Sequence, residues 1–255
     1  MSAYKNIAKT YDAIRPSYPD ELIADIIEAG NLSATSKLLE IGAGTGKATT
    51  AFLDLGFSVD ANEIEPDMAD VLRRKVISDK LSLSVGPFES WIPPQPKYNC
   101  IYCAQAFHWL DKDIKFRKCN DYLLRNGLLA LFWYDPMPTV QTTAYLAAEH
   151  VKKKYLGVEN IVTSVSMDTR LQEIKETPYF DLIGKKTYRV ILRNTAEQSW
   201  AAMESTPEFQ KKYAGLSDAE RTEFRKEYTA AIENNGGFTE TAMLYTLYLL
   251  QPTSE

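Results

Sequence analysis

Hydrophobic positions in the first half of the chain alternate between two spacings. Residues 20–30 place apolar side chains at helical spacing and end at a glycine, whereas residues 37–43 form a short apolar run that ends in glycines. This alternation of helix-like and strand-like segments favours a doubly wound α/β fold, in which helices cover both faces of a mostly parallel sheet. Strands are predicted over 37–43, 57–64, 81–86, 99–107 and 128–134, with helices over 20–30, 46–56, 66–77 and 112–124.

The second half of the chain has a different pattern of polar and hydrophobic residues. Residues 139–184 and 195–236 are polar, helix-like and rich in Lys and Glu, whereas residues 185–193 and 241–252 have the β-branched and aromatic content of strands. These two strands would complete a seven-stranded sheet within a single domain, residues 1–255. We interpret the segments 139–184 and 195–236 as a helical cap or lid over the ligand crevice, and additional packing on the domain is the alternative.

A glycine-rich turn follows the first predicted strand. Gly42, Gly44 and Gly46 lie between a strand and a helix, where they permit a tight turn and a close approach of backbone to a ligand. The G-x-G-x-G spacing differs from the G-x-G-x-x-G of dinucleotide-binding folds, and Lys47 is followed by Ala48 rather than by the Ser or Thr of a P-loop. Nicotinamide and nucleoside-triphosphate sites are therefore disfavoured.

An acidic residue ends the second predicted strand. Glu63 lies about twenty residues beyond the glycines, where a carboxylate can accept hydrogen bonds from both hydroxyls of a ribose. Glu65 competes for this role, but we assign it to the turn before Pro66. In open α/β sheets the ligand crevice lies at the carboxyl ends of the strands, so the turn and the acid predict a nucleoside site there.

The chain resembles the class I S-adenosylmethionine-dependent methyltransferases, and within them the small-molecule branch that includes the trans-aconitate methyltransferases. The resemblance covers residues 8–134, about half of the chain, and departs from the family at Pro87, where a small or acidic residue is commoner. It implies that S-adenosylmethionine is the cofactor and that Tyr18 lies in a segment that folds over it. The cofactor-binding residues that it implies are Tyr11, Gly42, Ala43, Gly44, Thr45, Gly46, Glu63, Ile64, Met68, Phe88, Glu89, Ala104 and Gln105.

The resemblance further implies an in-line attack of a small acceptor on the sulfonium methyl group, which we expect to methylate a carboxylate or hydroxyl oxygen. Arg15 is a candidate for pairing with an acceptor carboxylate, and a surface arginine is the alternative. His108, just after a predicted strand end, is a candidate for orienting the acceptor or for general base catalysis, and a structural histidine is the alternative. Trp109, Trp133 and Tyr134 are candidates for pocket walls or for core residues.

The composition of the chain disfavours nucleic acid, membrane and metal as binding partners. A net charge of −5 argues against a face that follows a nucleic-acid backbone. The chain shows neither an apolar stretch that could cross a bilayer nor an apolar core of a signal peptide, so we expect a cytoplasmic protein without a membrane partner. Cys100 and Cys103 have C-x-x-C spacing, but on a strand this spacing directs the thiols to opposite faces, so no metal site is predicted.

Three other functions remain open from the sequence, and the oligomeric state is undetermined by it. A nitrogen or carbon methyltransferase shares the predicted cofactor site. A non-catalytic S-adenosylmethionine-binding protein would use the helical cap to contact a protein partner, and its cap would expose an apolar patch. A nicotinamide dehydrogenase is disfavoured because its glycine loop is absent.

Overall fold

The computed structural model describes residue 12 and residues 16–137, 142–157 and 167–253. Its centre is a seven-stranded sheet in the order β3-β2-β1-β4-β5-β7-β6. Neighbouring strands from β3 to β5 are parallel, whereas β7 is antiparallel to both β5 and β6. The prediction of a doubly wound, mostly parallel, seven-stranded sheet is confirmed. The strands are β1 (Lys37–Ile41), β2 (Ser58–Glu63), β3 (Leu81–Val85), β4 (Tyr98–Ala104), β5 (Leu123–Pro136), β6 (Phe180–Thr195) and β7 (Phe238–Pro252).

Helices cover both faces of this sheet. One face packs against the first helices, for example through Ile26 and Phe52, and the other packs against later helices through Phe116 and Ile174. The central strands are buried on both faces, which explains why they are continuous apolar runs in the sequence. The helices are α1 (Asp20–Ala29), α2 (Lys47–Asp54), α3 (Pro66–Lys75), α4 (Lys115–Tyr122), α5 (Thr143–Leu156), α6 (Met167–Glu176), α7 (Ala196–Glu204), α8 (Pro207–Tyr213) and α9 (Asp218–Glu233).

A second hydrophobic core lies outside the sheet. Strands β6 and β7 remain paired as far as Thr195 and Phe238, beyond the last pairing of β5 at Pro136. Helices α7, α8 and α9 are inserted between those two ends, and they pack with α5 around the buried ring of Trp200. Capping boxes at Thr195 and Ser217 start α7 and α9, because each hydroxyl accepts a hydrogen bond from a first-turn backbone N–H.

The predicted boundary of the first cap segment, residue 184, is wrong. Strand β6 begins at Phe180, and its pairing with β7 shifts register between Leu182 and Gly184. That irregularity interrupts the alternation by which the strand could be recognised in the sequence. Helix α6 also packs on the sheet through Ile174, rather than with α5 in the second core. The helices around Trp200 remain the candidates for a lid, which stays a prediction.

None of the helices within the described ranges is both long enough and apolar enough to cross a membrane.

Candidate functional site

Two adjoining cavities open at the carboxyl ends of β1, β2 and β4. The larger has a volume of about 400 Å³ and the smaller of about 60 Å³. Both are lined by Gly42, Gly44, Ala104 and Gln105, so the glycine turn and the end of β4 form their common wall. This is the edge of the sheet at which the sequence placed the ligand crevice.

The first two positions of the turn require glycine for different structural reasons. Gly42 adopts a φ of +71°, and a Cβ at this position would lie 2.4 Å from the Cβ of Ala106, so the turn can pass the end of β4 only without a side chain. Gly44 adopts a φ of +57°, and a Cβ there would point into open space with no atom within 4 Å. Its missing side chain leaves room on the cavity side of the turn, which is the space that a ligand approaching the backbone needs.

Glu63 lies at the junction between the glycine turn and the larger cavity. Its Oε2 accepts a hydrogen bond from the backbone N–H of Gly44 at 2.6 Å, and its Oε1 accepts one from the N–H of Glu65 at 2.8 Å. Burial raises the pKa of Glu63, whereas these backbone donors act to lower it. Each carboxylate oxygen has a further lone pair, so the fixed side chain can still accept hydrogen bonds from a ligand.

The larger cavity is an apolar slot with this acid at its edge. Met68 and Phe88 are buried in its walls, whereas Ile64 and Trp109 stay 56% and 72% exposed at its rim. The slot is suited to a planar aromatic ring, because apolar side chains can cover both faces of such a ring. Glu89 borders the same cavity, where its Oε1 accepts the backbone N–H of Asp111 at 3.1 Å, and this bond ties two lining loops together.

The smaller cavity is lined by one buried acid and one partly exposed base. Glu40 and Lys47 both line it, together with the aromatic residues Tyr18 and Tyr134. The side-chain hydroxyl of Thr49 and the phenol of Tyr102 both donate to Oε2 of Glu40, at 2.5 and 3.0 Å. Complete burial raises the pKa of Glu40 to about 8, with a further contribution from the negative charge of Glu63.

The end of β4 is held in an uncommon conformation. Gln105 adopts a φ of +62°, which is unfavourable for a residue other than glycine. Its backbone N–H donates to the carbonyl of Phe132 and its side-chain amide donates to the carbonyl of Tyr134, each at 3.0 Å. These bonds to β5 stabilise the strained turn and keep the common wall of the cavities in place.

His108 lies half-buried in the short 3₁₀ turn after β4. Its Nδ1 accepts a hydrogen bond from Nε1 of Trp133 at 3.1 Å, so the proton of the neutral ring lies on Nε2. Burial, together with the positive charges of Arg170 and Lys115, lowers the pKa of His108 to about 4. Near neutral pH the imidazole is therefore uncharged, and its Nε2 donates hydrogen bonds rather than accepting protons.

The three aromatic candidates take different places. Trp133 is a core residue, whereas Trp109 lines the larger cavity and Tyr134 lines the smaller one. The two cysteines with C-x-x-C spacing are buried on opposite faces of the sheet, as predicted, with Cys100 in one hydrophobic cluster and Cys103 in the other. Within the ranges that the structure describes, no three metal-ligating side chains come together.

The structure brings most of the predicted cofactor residues to the two cavities. Gly46 is an exception, because it packs against Leu72 beneath the turn, and Tyr11 and Arg15 lie outside the described residues. Lys47 is not among the site residues predicted from the sequence, yet it lines the smaller cavity, and its place directly after the glycine turn is the signal that could have indicated this. The predicted residues that line a cavity are Gly42, Ala43, Gly44, Thr45, Glu63, Ile64, Met68, Phe88, Glu89, Ala104 and Gln105.

Comparison with known proteins gives related sequences over the first half of the chain. Residues 38–127 match a family model described as a methyltransferase domain. An uncharacterized methyltransferase-like protein of Schizosaccharomyces pombe is 28% identical over 156 residues, which is 60% of each chain. An uncharacterized methyltransferase of Mycobacterium bovis is 34% identical over 123 residues, which is 48% of each chain. The chain thus spans about half to three fifths of the length of these relatives.

Solved structures with low sequence identity share the fold over nearly the whole chain. A putative type II methyltransferase from Anaeromyxobacter dehalogenans aligns with a TM-score of 0.63 at 16% identity, covering 92% of this chain and 97% of the other. A methyltransferase from Thiobacillus denitrificans, solved with S-adenosyl-L-homocysteine, aligns with a TM-score of 0.55 at 14% identity, covering 98% of both chains. The sheet order and these structural similarities show a Rossmann-like fold, within which residues 38–127 match the methyltransferase domain model.

Proposed function

We propose that this chain binds S-adenosylmethionine and transfers its methyl group to an oxygen atom of a small-molecule acceptor. The observation that carries the proposal is the hydrogen bond between Glu63 and the N–H of Gly44 at the edge of an apolar slot. A carboxylate fixed in this way suits the two hydroxyls of a ribose, and the slot suits an adenine ring. The smaller cavity, which contains Glu40, suits the charged methionine end of the same molecule.

The residues present fit this cofactor. Gly44 leaves open space where a side chain would obstruct the ligand, and Met68 and Phe88 supply apolar walls. When bound, S-adenosylmethionine supplies an electrophilic methyl group on a positively charged sulfur. The protein's tasks are then to hold the acceptor in line with this methyl group and to exclude water, because the leaving group is already good.

Among oxygen acceptors we favour a carboxylate over a hydroxyl. A carboxylate is ionised near neutral pH and needs no base, whereas a hydroxyl acceptor gains from one. His108, whose Nδ1 accepts a hydrogen bond from Trp133, lines neither of the two cavities, so its role toward an acceptor remains a prediction from the sequence. Pairing of Arg15 with the acceptor, and the likeness to the trans-aconitate methyltransferases, remain proposals that rest on the sequence resemblance.

The first test is calorimetric titration with S-adenosylhomocysteine, the demethylated product form of the cofactor. We expect the wild-type chain to bind it and Glu63→Gln to bind at least about tenfold more weakly, because a charged hydrogen-bond acceptor is lost. Asp70→Asn is the matched control, since Asp70 is a half-exposed acid on α3 that pairs with Arg73. Absence of binding to wild type, or equal affinity of wild type and Glu63→Gln, would refute the proposal.

The second test concerns turnover. Incubation with methyl-labelled S-adenosylmethionine and a panel of small carboxylic acids, each matched with the corresponding alcohol, is expected to label the acids. NMR of the product identifies the methylated atom, so nitrogen or carbon methylation would be recognised at once. Binding of the cofactor without turnover of any acceptor would favour the non-catalytic alternative.

A further inference from the structure

We infer that Lys47 binds the α-carboxylate of the methionine moiety, and that it makes the smaller cavity selective for a cofactor with an intact amino acid. This inference rests on the proposed function and extends it to a residue outside the glycine turn. Lys47 is the first residue of α2, and its side chain lines the smaller cavity while remaining 24% exposed. Of the described residues that line this cavity, only Lys47 carries a positive charge.

Asp12, the acid nearest to Lys47 in the ion pairs that the structure describes, is too distant for a hydrogen bond, so the ammonium group of Lys47 can still bind an anion. Nζ of Lys47 lies 3.9 Å from Oδ1 of Asp12, whereas Nζ of Lys75 lies only 2.9 Å from the same oxygen. Lys75 also donates to the carbonyl of Thr45 at 3.2 Å, so it is the better satisfied of the two lysines. Burial and the neighbouring charge of Lys75 lower the pKa of Lys47, which is the effect that an approaching anion would reverse.

Backbone groups add to the positive potential at this position. The residue before α2, Gly46, has no side chain to cap the helix, and no side-chain cap hydrogen bond is present there. First-turn N–H groups of a helix have no intrahelical acceptor, and the helix dipole is positive at this end. Lys47 and the start of α2 therefore attract an anion from the same side of the cavity.

Glu40 supplies the complementary acid, and an ammonium group beside it would favour its ionised form despite the raised pKa. A zwitterionic amino acid presents one ammonium group and one carboxylate, and the smaller cavity is lined by one acid, Glu40, and one base, Lys47. Pairing the ammonium with Glu40 and the carboxylate with Lys47 satisfies both charges in a cavity of about 60 Å³. A ligand without the carboxylate would leave Lys47 without this partner, whereas a ligand without the whole amino acid would not enter the smaller cavity.

Three ligands separate the ends of the cofactor: S-adenosylmethionine, its decarboxylated form and 5′-methylthioadenosine, which lacks the amino acid. Calorimetry of wild type is expected to give affinity at least about tenfold higher for S-adenosylmethionine than for the decarboxylated form. Lys47→Met is expected to lower affinity for S-adenosylmethionine by about tenfold or more. Its affinities for the other two ligands are expected to change less than about twofold, and Lys47→Arg to retain most of the wild-type preference.

Controls keep the outcomes distinguishable. Lys37→Met removes the same charge at the opposite end of β1 and is expected to leave all three affinities unchanged. Thermal melting without ligand checks that Lys47→Met folds like wild type. A Glu63→Gln variant that loses affinity for 5′-methylthioadenosine supports the proposed cofactor site independently of Lys47.

Three results would overturn the inference while leaving the proposed function intact. The first is a Lys47→Met variant with unchanged preference for the carboxylated ligand. The second is an equal loss of affinity for all three ligands, which would indicate a structural role in the turn. The third is loss of the preference in Arg15→Met but not in Lys47→Met, which would assign the carboxylate to the N-terminal segment. If wild type bound none of the three ligands, the proposed function itself would fail.

Discussion

At the scale of single residues, one hydrogen bond decides which nitrogen of His108 carries its proton. The sequence placed this histidine at the ligand edge and left its role open among orienting group, base and structural residue. Trp133, 25 positions further along the chain, donates to Nδ1 and restricts the ring to the Nε2–H form. No local pattern reveals such a partner, because it depends on how β4 and β5 align side by side.

We therefore expect His108 to remain neutral, with its proton on Nε2, from about pH 5 upward. Nitrogen chemical shifts of the labelled imidazole report this state directly, and the chain has only two histidines, so His108→Asn identifies the signal. Trp133→Phe is expected to free Nδ1 and let the proton of the neutral ring occupy either nitrogen, while the pKa stays low because burial and the charges of Arg170 and Lys115 remain. A wild-type ring that titrates near the ordinary value of 6.5 would contradict the assignment.

Glu63 shows the opposite case, in which a residue's position could be predicted. Its distance from the glycine turn in the sequence, and its place at a strand end, require β1 and β2 to be parallel neighbours, which they are. Parallel neighbours bring the ends of successive strands to the same edge, so the 2.6 Å contact with Gly44 follows from the topology.

At the scale of secondary-structure elements, two ion pairs hold helix α6 against the sheet and against α4. Arg170 forms two hydrogen bonds with Asp135 at the end of β5, at 2.7 and 3.1 Å, and both side chains are largely buried. Glu173, one turn further along α6, pairs with the buried Lys115 of α4 at 2.7 Å. The polar, helix-like sequence of 139–184 predicted helix here, but the partners of these charges lie outside α6, so its docking on the sheet could not be foreseen.

Removing one partner of the buried pair is expected to be costly. Arg170→Met leaves the Asp135 carboxylate buried without its cation, which lowers the free energy of unfolding by about 3–5 kcal/mol. Hydrogen exchange should then increase first in α6, because its docking depends on this contact. Both effects are measurable by chemical denaturation and by mass spectrometry of exchanged peptides.

Two further variants make this test specific. Arg73→Met breaks a half-exposed pair with Asp70 and is expected to cost less than about 1 kcal/mol. The double variant Asp135→Asn with Arg170→Met should recover part of the lost stability, since no buried charge is then left unpaired. Equal destabilisation by Arg73→Met and Arg170→Met would show that the buried pair does not hold α6.

At the scale of the whole molecule, strand β1 places a buried acid, Glu40, just before the glycine turn. The pKa of Glu40 rises from 4.5 to about 8 on folding, so the folded chain binds more protons than the unfolded chain between these values. The free energy of unfolding therefore decreases as the pH rises through this window. The stabilising hydrogen bonds from Thr49 and Tyr102 reduce this cost without removing it.

Glu40→Gln is expected to remove this pH dependence. Chemical denaturation without ligand should show the variant gaining roughly 3 kcal/mol relative to wild type between pH 5 and pH 8. The same variant should bind S-adenosylmethionine more weakly at pH 8, because it lacks the carboxylate that we propose as the partner of the ligand's ammonium group. Parallel pH profiles of wild type and variant would show that Glu40 is not the group responsible.

Prediction from the sequence succeeded where local pattern and topology coincide. Strands β1 and β2, the glycine turn and the acid that ends β2 are all encoded within short segments between residues 37 and 64. The sequence of the second half of the chain predicted helices and strands but not how they pack. The sequence of a polar helix contains little information about the element that the helix will contact. The start of β6 at Phe180 escaped prediction for a different reason, because the register of its pairing with β7 shifts between Leu182 and Gly184.

Thr195 and Phe238 are partners across the β6–β7 ladder, although the chain between them makes three helices. The first and last residues of this insertion are paired in the sheet. The insertion can therefore vary in length or composition while β6 and β7 keep their register. Evolution or protein engineering can therefore replace these three helices as a unit while the glycine turn after β1 keeps its geometry.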